Sequence, residues 1–198
     1  MNAVHAPKWL PGAAVVMGLI SGFLAGYYIF PIAEYKFSAD NIEIYVNQPE
    51  MAPITAPLFY AIGMMLLLLP VRPKHLPAHL LGVPLGILIG WLLAVNIAVQ
   101  IVTLAGQPGG AAGDIVAWLV AGAVAGAVGA TFTWLGARSA VPALSGKRAF
   151  RLAASAGTVF GLLLYPAFNT FEQTWILFAP WQAAVACTIA WSVTRPEG

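Results

Sequence analysis

The stretch that most constrains this chain runs from Gly82 to Thr103 and contains no charged side chain. At about 22 residues it is long enough to cross the hydrocarbon core of a bilayer as an α-helix. Of the 198 residues only 8% are charged and 60% are hydrophobic, whereas about 25% of the residues in soluble domains are charged. The sequence therefore predicts an integral membrane protein.

Six apolar segments approach the length that a membrane-spanning helix needs. They run over about 12–33, 54–71, 78–104, 113–137, 151–168 and 173–194, and are numbered one to six here. We therefore predict an all-α integral membrane protein, in which residues 1–198 form a single domain, a bundle of six transmembrane helices. Because no Ala-x-Ala cleavage site follows the first apolar segment, we expect that segment to be retained rather than removed as a signal peptide.

The connections between these segments separate charge by sign. Eight of the nine basic residues fall on one side: Lys8, Arg72, Lys74, Arg138, Lys147, Arg148, Arg151 and Arg195. Six of the seven acidic residues fall on the other: Glu34, Asp40, Glu43, Glu50, Asp114 and Glu172. Short loops rich in Lys and Arg stay in the cytoplasm. We therefore expect the protein in the cytoplasmic (inner) membrane, with both termini in the cytoplasm.

Small and polar residues share one face of the third segment. At about 100° per residue, an arc of roughly 140° contains Gly82, Gly86, Gly90, Asn96, Gln100 and Thr103. Neighbouring helices approach closely at small residues, and amides within lipid need a partner. This pattern predicts that the third helix is central and contacts protein on this face. Trp91, on the opposite face, is expected to contact lipid or another copy of the chain.

Similar motifs flank several segments. Pro7-Lys8-Trp9-Leu10-Pro11 before the first segment resembles Pro73-Lys74-His75-Leu76-Pro77 before the third, and glycines recur at helical spacing in the first, fourth and fifth segments. One interpretation is three repeated helical hairpins. The other is that membrane helices reuse Gly, Pro and flanking bases regardless of ancestry.

The first outer loop, Ala33 to Pro53, is the longest connection. Asp40-Asn41-Ile42-Glu43 has capping-box spacing, which predicts a short interfacial helix. The alternation of Ile42, Ile44 and Val46 with polar residues favours a strand instead. We favour the helix, since a lone strand leaves its backbone groups without partners.

Polar residues near the outer ends of the helices are the candidate binding site: Asn96, Gln100 and Thr103, with Tyr165 and Asn169 as companions. In one interpretation these amides line a route or pocket for a small solute. In the other they hydrogen-bond neighbouring helices and hold the bundle together. Both remain open from the sequence.

Asp114 and Glu172 also allow two interpretations. They are candidates for an outer entrance that attracts cations. Alternatively they stabilise helix N-termini, where Thr170 and Gln173 have the spacing of a capping box.

The sequence shows little sign of catalysis or metal binding. His75 and His79 have helical ligand spacing, but no third ligand follows and Cys187 is the single cysteine. Serine-hydrolase, zinc-protease and phosphate-loop motifs are absent, as are aromatic-basic patches for nucleic acid. We therefore predict no enzyme, no metal, no cofactor and no nucleic-acid partner.

Two classes of function remain. The first is a passive pathway or binding module for a small neutral or weakly polar solute. It is favoured by the polar face of the third segment and by prolines that bend the helices. Coupled transport is disfavoured, because it needs ionisable residues near mid-membrane and the apolar segments contain none there. The alternative is a non-catalytic scaffold or accessory subunit of a larger membrane complex. Expected partners are the lipid bilayer, a small solute, and either further copies of the chain or a larger complex.

Overall fold

The computed structural model describes residues 6–27, 35–39, 42–47, 53–71, 77–105 and 110–195. In these ranges the elements are α1 (Leu10–Tyr27), β1 (Tyr35–Ala39), β2 (Ile42–Asn47), α2 (Thr55–Leu68), α3 (Val83–Ala105), α4 (Gly110–Ala140), α5 (Lys147–Gly161), α6 (Leu164–Asn169) and α7 (Trp175–Thr194). The chain is thus predominantly helical.

Four helical stretches are long and apolar enough to cross a membrane. They are His79–Ala105, Asp114–Ala140, Lys147–Asn169 and Trp175–Thr194. Leu10–Ala25 and Thr55–Val71 are apolar but shorter. By length and composition the chain is a helical membrane protein, as predicted.

The first outer loop contains a β-hairpin, so the predicted interfacial helix is wrong. β1 and β2 pair antiparallel, with Phe37 opposite Ile44 and Ser38 opposite Glu43. The prediction failed because Tyr35–Ala39 supplies the partner strand that the alternating segment was thought to lack. Asp40 and Asn41, which began the supposed capping box, lie outside the described residues.

Prolines explain the irregular turns within the helices. Pro166 has no N–H and its ring crowds the carbonyl of Leu162, which is where the predicted fifth helix divides into α5 and α6. Pro84 likewise cannot donate to the carbonyl of Leu80, and the turn Ala78–Gly82 before it is π-helical. Pro180 is accommodated inside α7, which continues to Thr194.

The predicted glycine faces are helix–helix contacts. A Cβ added to Gly86 would lie 2.6 Å from the Phe132 carbonyl oxygen and 2.7 Å from Gly136 Cα on α4. α4 meets α5 in the same way at Gly126 and Gly157. On α1, Gly18 lies against the backbone of Ala183 on α7. The close approach that small residues permit is therefore confirmed for α1, α3, α4 and α5.

These contacts align the helices antiparallel and bring like-charged ends together. We call the end with Arg138, Lys147 and Arg195 the basic end, and the end with Asp114 and Glu172 the acidic end. The main apolar core, which includes Leu10, Met64, Leu68, Val83, Ala137, Leu144 and Ile189, lies at the basic end. A smaller buried cluster that includes Ala25, Leu177 and Phe178 lies toward the acidic end.

Of the four stretches long enough to cross a membrane, the most buried is α7, not the third helix as predicted. In the most apolar window of each, 61% of the residues of Trp175–Thr194 are buried but only 11% of those of His79–Ala105. Ala179, Ala183, Ala186 and Ala190 form a buried ridge along α7. α3 is instead peripheral and packs mainly against α4.

Candidate functional site

A cavity of ≈ 260 Å³ lies between the helices, mostly toward the acidic end. It is bounded by residues of α2, α3, α4, α5, α6 and α7. The cavity is larger than an engineered void of about 150 Å³ that stays dry and binds benzene. It is therefore large enough for a small organic molecule.

The lining of the cavity is apolar and aromatic. Aromatic rings surround it on four helices: Trp91, Trp118, Phe168, Phe178 and Trp181. The polar lining side chains are Tyr60, Thr103, Thr133 and Gln182. No Asp, Glu, Lys, Arg or His is among the described residues that line it. Such a surface suits a neutral ligand, because a charge here would be desolvated without a partner.

The cavity is elongated and closed at one end. Trp118 and Thr133 both line it from α4, and fifteen helical residues span about 22 Å. Near the acidic end its lining includes the exposed Thr103. At the deep end Tyr60 and Gln182 are each 1% exposed. A chain-like molecule fits this shape better than a compact one.

Polar groups at the deep end differ in whether they have hydrogen-bond partners. Gln182 Oε1 accepts a hydrogen bond from Ser21 Oγ at 2.6 Å, and Gln182 Nε2 donates to the Ala56 carbonyl at 3.5 Å. The Tyr60 hydroxyl and Trp181 Nε1 are buried and have no hydrogen-bond partner within the described part of the chain. The two rings lie edge to face, with centroids 6.1 Å apart.

Asn96, the first predicted binding residue, contacts the β-hairpin. Its Oδ1 accepts from the Tyr45 N–H at 2.7 Å, and its Nδ2 donates to the Tyr45 carbonyl at 2.9 Å. Nδ2 also donates to the Leu92 carbonyl at 2.8 Å, which fixes the amide on its own helix. One side chain thus makes the pair of hydrogen bonds that a third strand would make with β2.

Gln100 extends this contact by one helical turn. Its Nε2 donates to the Glu43 carbonyl at 3.4 Å. Four helical residues rise about 6 Å, and two strand residues advance about 6.8 Å, so the two spacings nearly match. The amides of Asn96 and Gln100 therefore cover the free edge of β2. Neither side chain is among the residues that line the cavity.

The structure separates the other predicted binding residues. Thr103 lines the cavity. Tyr165 and Asn169 do not line it, and the exposed Asn169 Nδ2 donates to the Tyr165 carbonyl at 3.2 Å. Of the five predicted binding residues, Thr103 is thus the one at the cavity.

The two predicted entrance acids, Asp114 and Glu172, are both exposed. Glu172 has a φ of 53°, a left-handed conformation in the connection between α6 and α7. α7 begins after Thr174 without a side-chain cap, and Gln173 Oε1 instead accepts from Trp175 Nε1 at 2.6 Å. The capping box suggested by Thr170 and Gln173 is therefore not formed.

Trp91 was predicted to point away from the bundle, and this prediction is wrong. Trp91 lines the cavity and packs against Phe178 of α7, with ring centroids 5.1 Å apart. The glycine face and the Trp91 face of α3 both contact protein, because α4 and α7 lie on different sides of it.

Three cavity residues were not singled out from the sequence: Tyr60, Trp181 and Gln182. Gln182 could have been selected from the sequence, since it is an amide inside an apolar helix, as Asn96 is. Tyr60 could not, because a tyrosine near the end of a membrane helix is ordinary.

The β-hairpin carries an ion pair between its two strands. Lys36 Nζ and Glu43 Oε1 form an ion pair at 3.0 Å, and the Tyr45 hydroxyl donates to Glu43 Oε2. The hydrogen bond from Tyr45, with a second from Lys36, lowers the pKa of Glu43 below its ordinary value of 4.5. The carboxylate is therefore ionised at neutral pH and links the two strands.

The histidine pair gives no support to a metal site. His75 lies outside the described residues, and His79 is fully buried with neither ring nitrogen hydrogen-bonded in the part described. Among the described residues no group of three His, Cys, Asp or Glu side chains is placed to hold a metal ion.

The fold and the cavity together define a helical membrane protein with an elongated apolar cavity. Comparisons with protein-family models, with curated proteins and with solved structures give no match to this chain.

Proposed function

We propose that this protein is a non-enzymatic binding module for a small, neutral, largely apolar molecule, which occupies the cavity between α2 and α7. The observation that supports this most is the lining, which combines aromatic rings with a few polar groups and contains no ionisable group besides the Tyr60 phenol. Small-molecule sites have this composition. The proposal refines the weakly polar solute expected from the sequence.

In this proposal the ligand enters beside the exposed Thr103, and the buried residues at the deep end limit how far it penetrates. A passive route across the whole membrane is less favoured, because the packed core at the basic end lies beyond the deep end. We further propose that six helices span the cytoplasmic membrane and that the basic end faces the cytoplasm. On this view the ligand enters from the outer side. The repeat of three helical hairpins stays a prediction.

Binding of an elongated neutral fluorophore, diphenylhexatriene, to the purified protein in nanodiscs tests the proposal. Energy transfer from the cavity tryptophans reports the bound probe. Ala125→Phe places a ring in the cavity from α4, and we expect it to weaken binding at least tenfold. Ala123→Phe is the matched control, because Ala123 is a half-buried alanine of α4 outside the cavity lining. Equal energy transfer in both variants and in the unmodified protein would contradict the proposal.

The second candidate is a scaffold or accessory subunit of a larger membrane complex. Specific support comes from Asn96 and Gln100, whose amides hold the hairpin rather than lining the cavity. A hairpin held over one helix presents a fixed surface to a partner. Absence of probe binding, together with co-purification of a stoichiometric membrane partner, would favour this candidate.

A further inference from the structure

We propose that the deep end of the cavity recognises a neutral hydrogen-bond acceptor, so that the ligand is an elongated apolar molecule with a carbonyl oxygen at one end. This inference rests on the proposed function. It assigns the chemical class of the ligand and its orientation, with the oxygen innermost and the apolar chain toward Thr103.

Two unpartnered donors support it. The Tyr60 hydroxyl and Trp181 Nε1 are buried, and both side chains line the cavity. An indole N–H can only donate, and a phenol also donates, so a ligand that pairs with both must offer an acceptor. A buried donor that stays unpaired is unfavourable, which makes an acceptor at this point a gain in affinity.

The geometry brings the two donor-bearing rings together. The ring centroids of Tyr60 and Trp181 lie 6.1 Å apart, and the Trp181 ring extends toward Gly129 on α4. A Cβ at position 129 would lie 3.1 Å from Trp181 Cζ2. The glycine therefore leaves room for the indole ring between α7 and α4, beside the cavity.

The acceptor must be uncharged. No basic side chain lines the cavity to neutralise a carboxylate or a phosphate. A ketone, ester or quinone-type oxygen can accept from one or both donors without adding an unpaired charge to the interior. The remaining contacts are with aromatic and aliphatic side chains, which suit a hydrocarbon chain.

The experiment compares two probes, a long-chain methyl ketone and the alkane of the same chain length, as competitors of diphenylhexatriene in nanodiscs. We expect the unmodified protein to prefer the ketone about tenfold, the effect of one buried hydrogen bond. Tyr60→Phe keeps the ring and removes the hydroxyl, so the preference should fall to less than about threefold. Tyr165→Phe is the control, since Tyr165 is outside the cavity, and should keep the full preference. Comparing the ketone-to-alkane ratio between the unmodified protein and Tyr60→Phe cancels the difference in lipid partitioning, because that difference is the same in both samples.

Equal competition by the ketone and the alkane in the unmodified protein would overturn the acceptor site while leaving the proposed binding function intact. No competition by either probe would overturn both. If Tyr60→Phe does not fold, the carbonyl stretching frequency of the bound ketone decides. A shift to lower frequency relative to the ketone in empty nanodiscs supports the hydrogen bond, and an unshifted band contradicts it.

Discussion

At the scale of single residues, the amides of α3 behave as substitutes for a β-strand. Asn96 both donates to and accepts from the backbone of Tyr45, and Gln100 donates to Glu43 two residues away. An unpaired strand edge otherwise leaves backbone groups unsatisfied or available to another chain. The side chains that the sequence marked as most functional therefore have a clear structural role.

Replacing Asn96 and Gln100 together by Leu should release the hairpin from α3. Three hydrogen bonds at about 0.6 kcal/mol each amount to about 2 kcal/mol. Amide hydrogen exchange in β2 should therefore quicken roughly 30-fold. Asn169→Leu is the control, because within the described residues the Asn169 side chain bonds only a carbonyl of its own helix. Unchanged exchange in the double variant would show that the amides do not hold the hairpin.

The hairpin should also loosen in acid. The pKa of Glu43 is lowered in the folded state, so its contribution is complete well above pH 4.5 and is lost as the pH falls through the folded-state value. The ratio of β2 exchange rates between Glu43→Gln and the unmodified protein cancels the intrinsic effect of pH. We expect this ratio to exceed one at pH 7 and to approach one near pH 3. A ratio that does not change with pH would contradict the assignment.

At the scale of elements, glycines set how closely the helices approach. Gly86→Ala would place a methyl group 2.6 Å from the Phe132 carbonyl oxygen, a backbone atom that cannot rotate away. We expect a destabilisation of about 1–3 kcal/mol, as overpacking of a tight core produces. Thermal unfolding in detergent measures it.

Gly12→Ala is the matched control, because a Cβ there meets nothing within 4 Å. The substitution should be neutral or slightly stabilising, since alanine favours a helix over glycine by about 1 kcal/mol. An equal change in stability for Gly86→Ala and Gly12→Ala would contradict the tight contact between Gly86 and α4.

At the scale of the whole molecule, packing and charge divide the bundle into two halves. The buried core occupies the basic end, and the cavity opens toward the acidic end. Glycine contacts and aromatic contacts both occur at the cavity, where Gly122 of α4 lies against Gly161 of α5 and Trp91 packs against Phe178. A ligand that entered the cavity from the acidic end would meet this buried core.

The expected orientation can be measured directly in a cysteine-free background, made with Cys187→Ala. In intact cells a membrane-impermeant maleimide should label Asn47→Cys and should spare Asn2→Cys. This follows from the eight basic residues on the side of the N-terminus. Permeabilised cells provide the control, since both positions should then react. Labelling of position 2 from outside would reverse the topology.

The sequence alone determined the membrane class, the separation of charge and the glycine faces of α1, α3, α4 and α5. These properties are local, because hydrophobic length and helical spacing can be read within one segment. The division between α5 and α6 has a local cause as well, because Pro166 cannot donate the hydrogen bond that a continuous helix needs.

Only the tertiary structure decided which helix is enclosed, where Trp91 points, and what pairs with β2. A helix that is apolar all round has no single direction in which burial is favoured. Pairing of β1 with β2, or of Asn96 with Tyr45, depends on contacts between segments that no local pattern encodes. The deep end of the cavity is the clearest case. Tyr60 and Trp181 are far apart in the chain, and each is unremarkable until α2 and α7 bring their rings together beside the cavity.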